Sequence, residues 1–159
     1  MYSICLRYSK NKEDANDIFQ QAFYLIYKNM HQLRNYDALS GWIKRTVVNS
    51  ALDHLRKESK LTIVEDTDNI NESHTHNINK ALSNLSMEEL TSIIQQLPDG
   101  SRMVFNLYVI EGYSHQEICQ KLNLSISASK SRLHEARKAL KEKIIQKEII
   151  YNKSGKQIG

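Results

Sequence analysis

The chain is poor in the residues that break helices. Pro98 is its one proline, and there are five glycines in 159 residues. A turn-rich β sandwich or barrel needs more of both, so the composition points to long helices. No run approaches the roughly 18 consecutive apolar residues of a membrane-spanning helix, which argues against membrane insertion. Residues 1–25 lack an apolar signal core and carry Asp14 and Asp17, so no secretory leader is expected and a cytoplasmic location is. Cysteine is scarce as well. Cys5 and Cys119 lie far apart and read as two reduced, half-buried thiols rather than a disulfide or a metal pair. There is no phosphate-cradling Gly loop, no metal-ligand cluster and no nucleophile motif, which argues against an enzyme, a metal and a cofactor.

What is present is charge, unevenly placed. The net charge is +4 with 25% charged and 40% hydrophobic residues, ordinary for a globular chain. Residues 130–147 hold Lys130, Arg132, Arg137, Lys138, Lys141, Lys143 and Lys147 against Glu135 and Glu142. Residues 44–60 hold Lys44, Arg45, Arg56, Lys57 and Lys60 against Asp53 and Glu58. Between them, residues 61–79 carry Glu65, Asp66, Asp68 and Glu72 and neither Lys nor Arg. Two basic blocks around an acidic segment fit two contacts with a polyanion joined by a segment that avoids it. A basic block also serves as a solvated helix face, so charge alone does not decide.

Periodicity assigns the elements. Asn11 is placed to cap a helix from Lys12, with Ala15, Ile18, Phe19, Ala22, Phe23, Ile26 and Met30 forming its apolar stripe. The opposite face carries Asp14, Asp17, Gln20 and Gln21. A loop near Asn35–Ser40 leads to a second helix from about Gly41, predicted to bury Trp42, Ile43, Val47, Ala51 and Leu55. Residues 59–80 are rich in Asn, Asp, Thr, Ser and His without a sustained period, and read as a flexible linker. His74 and His76 within it read as solvated.

The second half is more explicit. Ser86-Met87-Glu88-Glu89 is a capping box flanked by Leu85 and Leu90 as a hydrophobic staple. Pro98 ends that helix and Asp99 is placed to cap the next, in which the apolar residues Val104, Phe105, Leu107, Tyr108 and Ile110 follow. Gly112 suits the left-handed position after it. Ser114-His115-Gln116-Glu117 is a second capping box with Tyr113 and Ile118 as its staple, and Asn123 suits a tight turn after Leu122. A further helix opens near Ser125 or Ser127 and buries Leu133, Ala136, Leu140 and Ile144. Helix, tight turn and basic helix is helix-turn-helix spacing, which generic helical hairpins share. At 100° per residue, Ser127, Ser131, Lys138 and, less squarely, Glu135 point away from the apolar side, with Lys130, His134, Arg137 and Lys141 on the flank. If this helix enters a major groove, Ser127, Lys130, Ser131 and Glu135 meet base edges, and Arg132, Arg137, Lys138 and Lys141 neutralise phosphates.

Both halves together resemble the extracytoplasmic-function (ECF) group of the sigma-70 family. The first half resembles sigma region 2 in Glu13-Asp14-Ala15-Asn16-Asp17-Ile18-Phe19-Gln20-Gln21-Ala22-Phe23, in Gly41-Trp42-Ile43-Lys44-Arg45-Thr46-Val47-Val48-Asn49 and in Asp53-His54-Leu55-Arg56. The second half resembles region 4 in Leu97-Pro98, Arg102, Glu111-Gly112-Tyr113-Ser114, Glu117-Ile118 and Lys130-Ser131-Arg132-Leu133-His134-Glu135-Ala136-Arg137. The resemblance implies an all-α protein of two small helical domains. Region 2 is expected over 1–58, a flexible linker over 59–84, region 4 over 85–147 and a disordered tail over 148–159. It implies that Asp17, Gln20 and Gln21 grip the β′ clamp of core RNA polymerase and that Trp42, Arg45, Asn49 and Arg56 engage the −10 element, with Asn49 holding a flipped base. It places Ser127, Lys130, Ser131, Arg132, Glu135, Arg137 and Lys138 at the −35 element, the rest of region 4 against the β flap, and an anti-sigma factor among the partners. Asn16, Leu39, Ala128, Ser129 and Glu135 depart from the family pattern. The resemblance also implies more of region 2 before the position of Met1, so the expectation is either a truncated start or a short first helix with an incomplete core. The expected function is an RNA polymerase sigma factor. The alternatives are a helix-turn-helix regulator acting without polymerase, and a degenerate sigma-like protein that binds polymerase without starting transcription.

Overall fold

The computed structural model describes residues 1–33, 35–58 and 86–154. All regular structure among them is helical. The chain divides into two compact units, Met1–Ile63 and Val64–Gly159. The linker expected over 59–84, with His74 and His76, and Leu85 of the first staple lie outside the described residues.

In the first unit, α1 (Tyr2–Tyr8), α2 (Lys12–Asn29) and α3 (Leu39–Glu58) pack against one another. Sequence periodicity did not reveal α1. It is a single short stretch whose N-cap, Met1, makes no side-chain cap bond, yet it contributes the fully buried Cys5 and Tyr8. Asn11 caps α2 as its spacing predicts, accepting from the Asp14 amide at 2.8 Å. The core is Cys5, Tyr8, Ala15, Ile18, Ala22, Val47, Val48, Ala51, Leu52 and Leu55. Ala15, Ala22 and Ala51 let the three backbones approach closely. This seam is narrower than the apolar stripe read from the sequence. Phe23 and Met30 are 58% and 53% exposed, and Tyr27 is 72% exposed. Trp42 and Ile43 are half-buried rather than buried. The helix expected from Gly41 starts at Leu39, after a 3-10 turn over Tyr36–Ala38 that Asn35 caps through the Asp37 amide at 2.9 Å.

The second unit comprises α4 (Met87–Gln95), α5 (Asp99–Phe105), one turn of π-helix (Asn106–Ile110), α6 (His115–Leu122) and α7 (Ile126–Ser154). Both capping boxes form, Ser86 with Glu89 and Ser114 with Glu117. Pro98, not Asp99, is the N-cap of α5. Asp99 instead turns its carboxylate to Arg102 one turn on. Arg102 is fully buried and also donates to the carbonyls of Leu97 at 2.8 Å and Gln95 at 3.3 Å, closing the α4–α5 corner. Gly112 at φ +78° and Asn123 at φ +53° occupy left-handed turns on either side of α6. Ser125 caps α7 through the Ala128 amide at 3.1 Å. Around this frame Ile93, Ile94, Leu97, Met103, Val104, Phe105, Leu107, Ile118, Leu122, Leu133, Ala136, Leu140 and Ile144 make the core. The disordered tail expected from residue 148 is helical as far as Ser154. Lys, Glu, Gln and Ile favour or tolerate a helix, and no breaker occurs before Gly155.

Candidate nucleic-acid interface

α7 is the second helix of a helix-turn-helix whose first helix is α6. Both α5 and α6 pack on it. Its open face carries Ser127, Lys130, His134, Lys138 and Lys141, all exposed. Spacings of three and four residues put these in one row along the helix. Sequence reasoning left His134 and Lys141 on the flank, but the row has His134 at its middle.

The other residues expected at DNA are held by the protein itself. Ser131 is 7% exposed, which corrects its expected outward position. At this end α7 is enclosed by both α5 and α6, so the covered arc is wider than one apolar stripe, and a serine is too short to reach past it. The departures Ala128 and Ser129 are buried for the same reason. Glu135 is exposed, but its Oε2 accepts from Ser101 of α5 at 2.9 Å. The Arg132 guanidinium lies against Gly100 at the start of α5, about 3.0 Å from where a Cβ would stand. Arg137 is half-buried, with its guanidinium 5.9 Å from the centre of the Tyr108 ring. Glu135, Arg132 and Arg137 therefore set how α7 sits on its support. Ser127, Lys130 and Lys138 remain open for a ligand.

A second clamp was not legible in the sequence. The His115 ring stacks on Tyr108 with centroids 4.5 Å apart, and its Nδ1 lies 2.9 Å from Ser129 Oγ. This bond joins the first helix of the motif to the second. The capping box at the start of α6 also holds the Glu117 carboxyl below its ordinary range, because the Ser114 amide and hydroxyl both donate to it.

In the first unit, Asp17, Gln20 and Gln21 are all exposed on α2. Arg45, Asn49 and Arg56 are exposed on α3, with Trp42 half-buried near its start. Arg56 pairs with Asp53 at 2.9 Å, an exposed ion pair of small energetic worth. A groove of about 460 Å³ brings Asp17 and Gln21 together with Leu25, Ser50, Asp53, His54, Arg56 and Lys57. It therefore joins residues expected at polymerase to one expected at DNA. Phe23, Tyr24 and Tyr27 add an exposed aromatic strip that the periodicity had assigned in part to the core. Cys5 and Cys119 are free thiols, and burial raises the pKa of both, as suits unreactive cysteines. Among the described residues no three His, Cys, Asp or Glu are grouped to hold a metal, and no helix is long and apolar enough to cross a membrane.

Comparison with known proteins converges on the same two regions. Sigma-70 region 2 matches residues 1–61, and sigma-70 region 4 matches residues 87–140. The chain belongs to the sigma-70 family, whose members are RNA polymerase sigma factors that direct promoter recognition and are regulators rather than enzymes. Within that family it falls with the ECF group. The ECF RNA polymerase sigma-E factor of Escherichia coli (strain K12) is 29% identical over 142 residues, covering 82% of this chain and 74% of the relative. ECF RNA polymerase sigma factor SigM of Bacillus subtilis (strain 168) is 27% identical over 142 residues, covering 89% and 86%. The sigma-E factor of Salmonella typhimurium (strain LT2) is 28% identical over 142 residues.

Proposed function

We propose that this protein binds core polymerase through both units, with Asp17, Gln20 and Gln21 on the β′ clamp and the second unit against the β flap. We take region 2 as residues 1–58 and region 4 as 85–147, joined by 59–84. In the first unit Asn49 holds an unpaired base of the −10 element while Trp42, Arg45 and Arg56 flank it. In the second, Ser127 and Lys130 meet base edges of the −35 duplex. His134, Lys138 and Lys141 follow the phosphate backbone. Arg132, Glu135 and Arg137 hold the helix at the angle this requires. The protein works in the cytoplasm without catalytic activity of its own, and an anti-sigma factor restrains it.

The observation that carries this reading is the open Lys130–His134–Lys138 row on the second helix of a helix-turn-helix, in a chain that also presents Asn49 and Arg45 on α3. The test is run-off transcription with purified bacterial core polymerase on a pool of candidate promoters, with and without the protein. Start-specific transcripts that require it, weakened by Asn49→Ala and by Lys130→Ala, are the expected result. Co-elution with core without transcripts would leave a degenerate polymerase-binding protein. No binding to core would leave a regulator that acts on DNA alone.

A further inference from the structure

The open row on α7 contains one side chain whose charge is not fixed. Lysines are cations throughout the physiological range, whereas a histidine changes charge between about pH 5 and pH 8. His134 stands at the middle of the row, four residues from Lys130 and four from Lys138, and all three are exposed. It makes no hydrogen bond, ion pair or ring contact with another described residue. His115 differs, since its ring is stacked on Tyr108 and bonded to Ser129. The free fold therefore gives His115 a task and His134 none.

The charges beside it on α7 are of one sign. Lys130, Arg137 and Lys138 lie within about one turn, and the adjacent carboxylate, Glu135, is turned to Ser101 of α5 at 2.9 Å. The carboxylates of the helices packed against α7 have partners elsewhere. On α5, Asp99 is held by Arg102. On α6, Glu117 is held by Ser114, and Lys121 sits 4.9 Å from the centre of the Tyr113 ring. On α4, Glu89 closes the capping box with Ser86. Glu88 is exposed at the opposite end of α4 from Gln96, which Lys143 of α7 bonds at 2.7 Å. A cationic imidazole at position 134 has lysines beside it in the free protein and gains phosphates opposite it on DNA. An opposite charge at contact distance favours the charged form of a titratable group.

We propose that His134 makes promoter binding proton-coupled: the ring takes up one proton as α7 docks on the −35 duplex and becomes a further cation in the row of Lys130, Lys138 and Lys141. This rests on reading that row as a DNA contact. The direction follows from linkage. Affinity gained by proton uptake is fully present below the pH at which the free ring titrates, and is lost as pH rises through the value at which the bound ring titrates. Acidification therefore tightens the hold of α7 on DNA, and alkalinisation loosens it.

The experiment is binding of assembled holoenzyme to a promoter duplex recovered from the run-off pool, at fixed salt, from about pH 6 to about pH 8. The wild type should lose about threefold to tenfold in affinity over that range, which corresponds to a rise of about half to one pH unit in the ring's titration on docking. His134→Gln should bind at every pH about as the wild type does at the alkaline end. His134→Lys, whose charge is permanent, should bind at every pH about as the wild type does at the acid end. At the acid end the salt slope of the wild type should exceed that of His134→Gln by about one unit, for one more neutralised phosphate, and at the alkaline end the two should agree. The ring is exposed and free of contacts, so neither substitution should move the melting temperature. A pH dependence that both variants retain belongs to another group of the holoenzyme and overturns the proposal, as does a wild type whose affinity is the same at both ends. If Lys138→Ala weakens binding at every pH while His134→Gln keeps the wild-type profile, the row still meets DNA and only the proton uptake fails. If neither Lys138→Ala nor His134→Lys alters binding, the row does not meet DNA, and the proposed role of α7 falls together with this inference.

Discussion

Arg102 shows how a residue can be legible as a motif and opaque as a contact. It was visible as part of the region 4 pattern, but its burial was not, because a lone arginine two residues before the apolar series counted from Val104 reads as surface. In the fold it ties Gln95, Leu97 and Asp99 together at one corner. Arg102→Met keeps much of the volume and leaves two carbonyls and a partly buried carboxylate without their donor. We expect a loss of about 3–5 kcal/mol, as for breaking a buried charge pair from one side, read as a lower urea midpoint. The same distinction sorts the residues of α7. Ser131 was assigned to bases by helical angle, and that angle ignored the second neighbour enclosing this end of the helix. Because Ser131 is buried, Ser131→Ala should leave binding to a −35 duplex within about twofold, the scale of a mutation outside the interface. Lys130→Ala should relax sequence preference at one position and cost about 1–3 kcal/mol on the preferred duplex. Equal effects of the two changes would show that the open row is misassigned.

The starts and stops of the helices were readable because capping is local chemistry. Asn11, Ser86, Ser114, Gly112 and Asn123 act within three or four residues of themselves, and all were placed correctly. Some misses were local: Pro98 rather than Asp99 caps α5, α3 starts at Leu39 rather than Gly41, α7 runs on to Ser154, and α1 has no side-chain cap to announce it. Others depend on distant partners, the Ser101–Glu135 bond across 34 residues and the His115–Ser129 bond across 14. The α6 capping box yields a prediction at this scale. Ser114 donates twice to Glu117 and accepts from its amide, and Glu117 is depressed below its ordinary pKa chiefly by the Ser114 backbone bond. A carboxylate depressed in the folded state adds stability that is present above its unfolded pKa and is lost as pH falls through the folded value. Ser114→Ala should cost about 1 kcal/mol at neutral pH and move Glu117 part of the way back toward an ordinary carboxylate. The backbone bond to the residue at position 114 should keep it from returning fully. A carboxyl-carbon NMR titration of both proteins checks this, and an unchanged Glu117 would remove the side-chain hydroxyl from the account.

Across the whole molecule the sequence shows +4 net charge in two basic blocks around an acidic segment, and the fold decides which of those charges are available. In α7, Lys130, Lys138 and Lys141 are exposed, whereas Arg132 packs on Gly100 and Arg137 on Tyr108. A census of the sequence would count all five as phosphate contacts. The salt dependence of DNA binding counts only those that displace counterions, with a slope of about −0.9 per neutralised phosphate on duplex DNA. Holoenzyme titrated with a duplex recovered from the run-off pool, over a series of potassium chloride concentrations, should therefore give a slope that falls in magnitude by about one unit in Lys138→Ala. That loss should be equal on a scrambled duplex, because a phosphate contact carries no sequence information. Arg132→Ala should change the slope little. It should act instead through the fit of α7 on α5, weakening the cognate duplex more than the scrambled one and lowering the melting temperature. If Arg132→Ala lowers the slope as much as Lys138→Ala does, with no loss of stability, then its guanidinium leaves Gly100 for the phosphate backbone when DNA binds, and the division of α7 into a reading row and an anchoring row has to be redrawn.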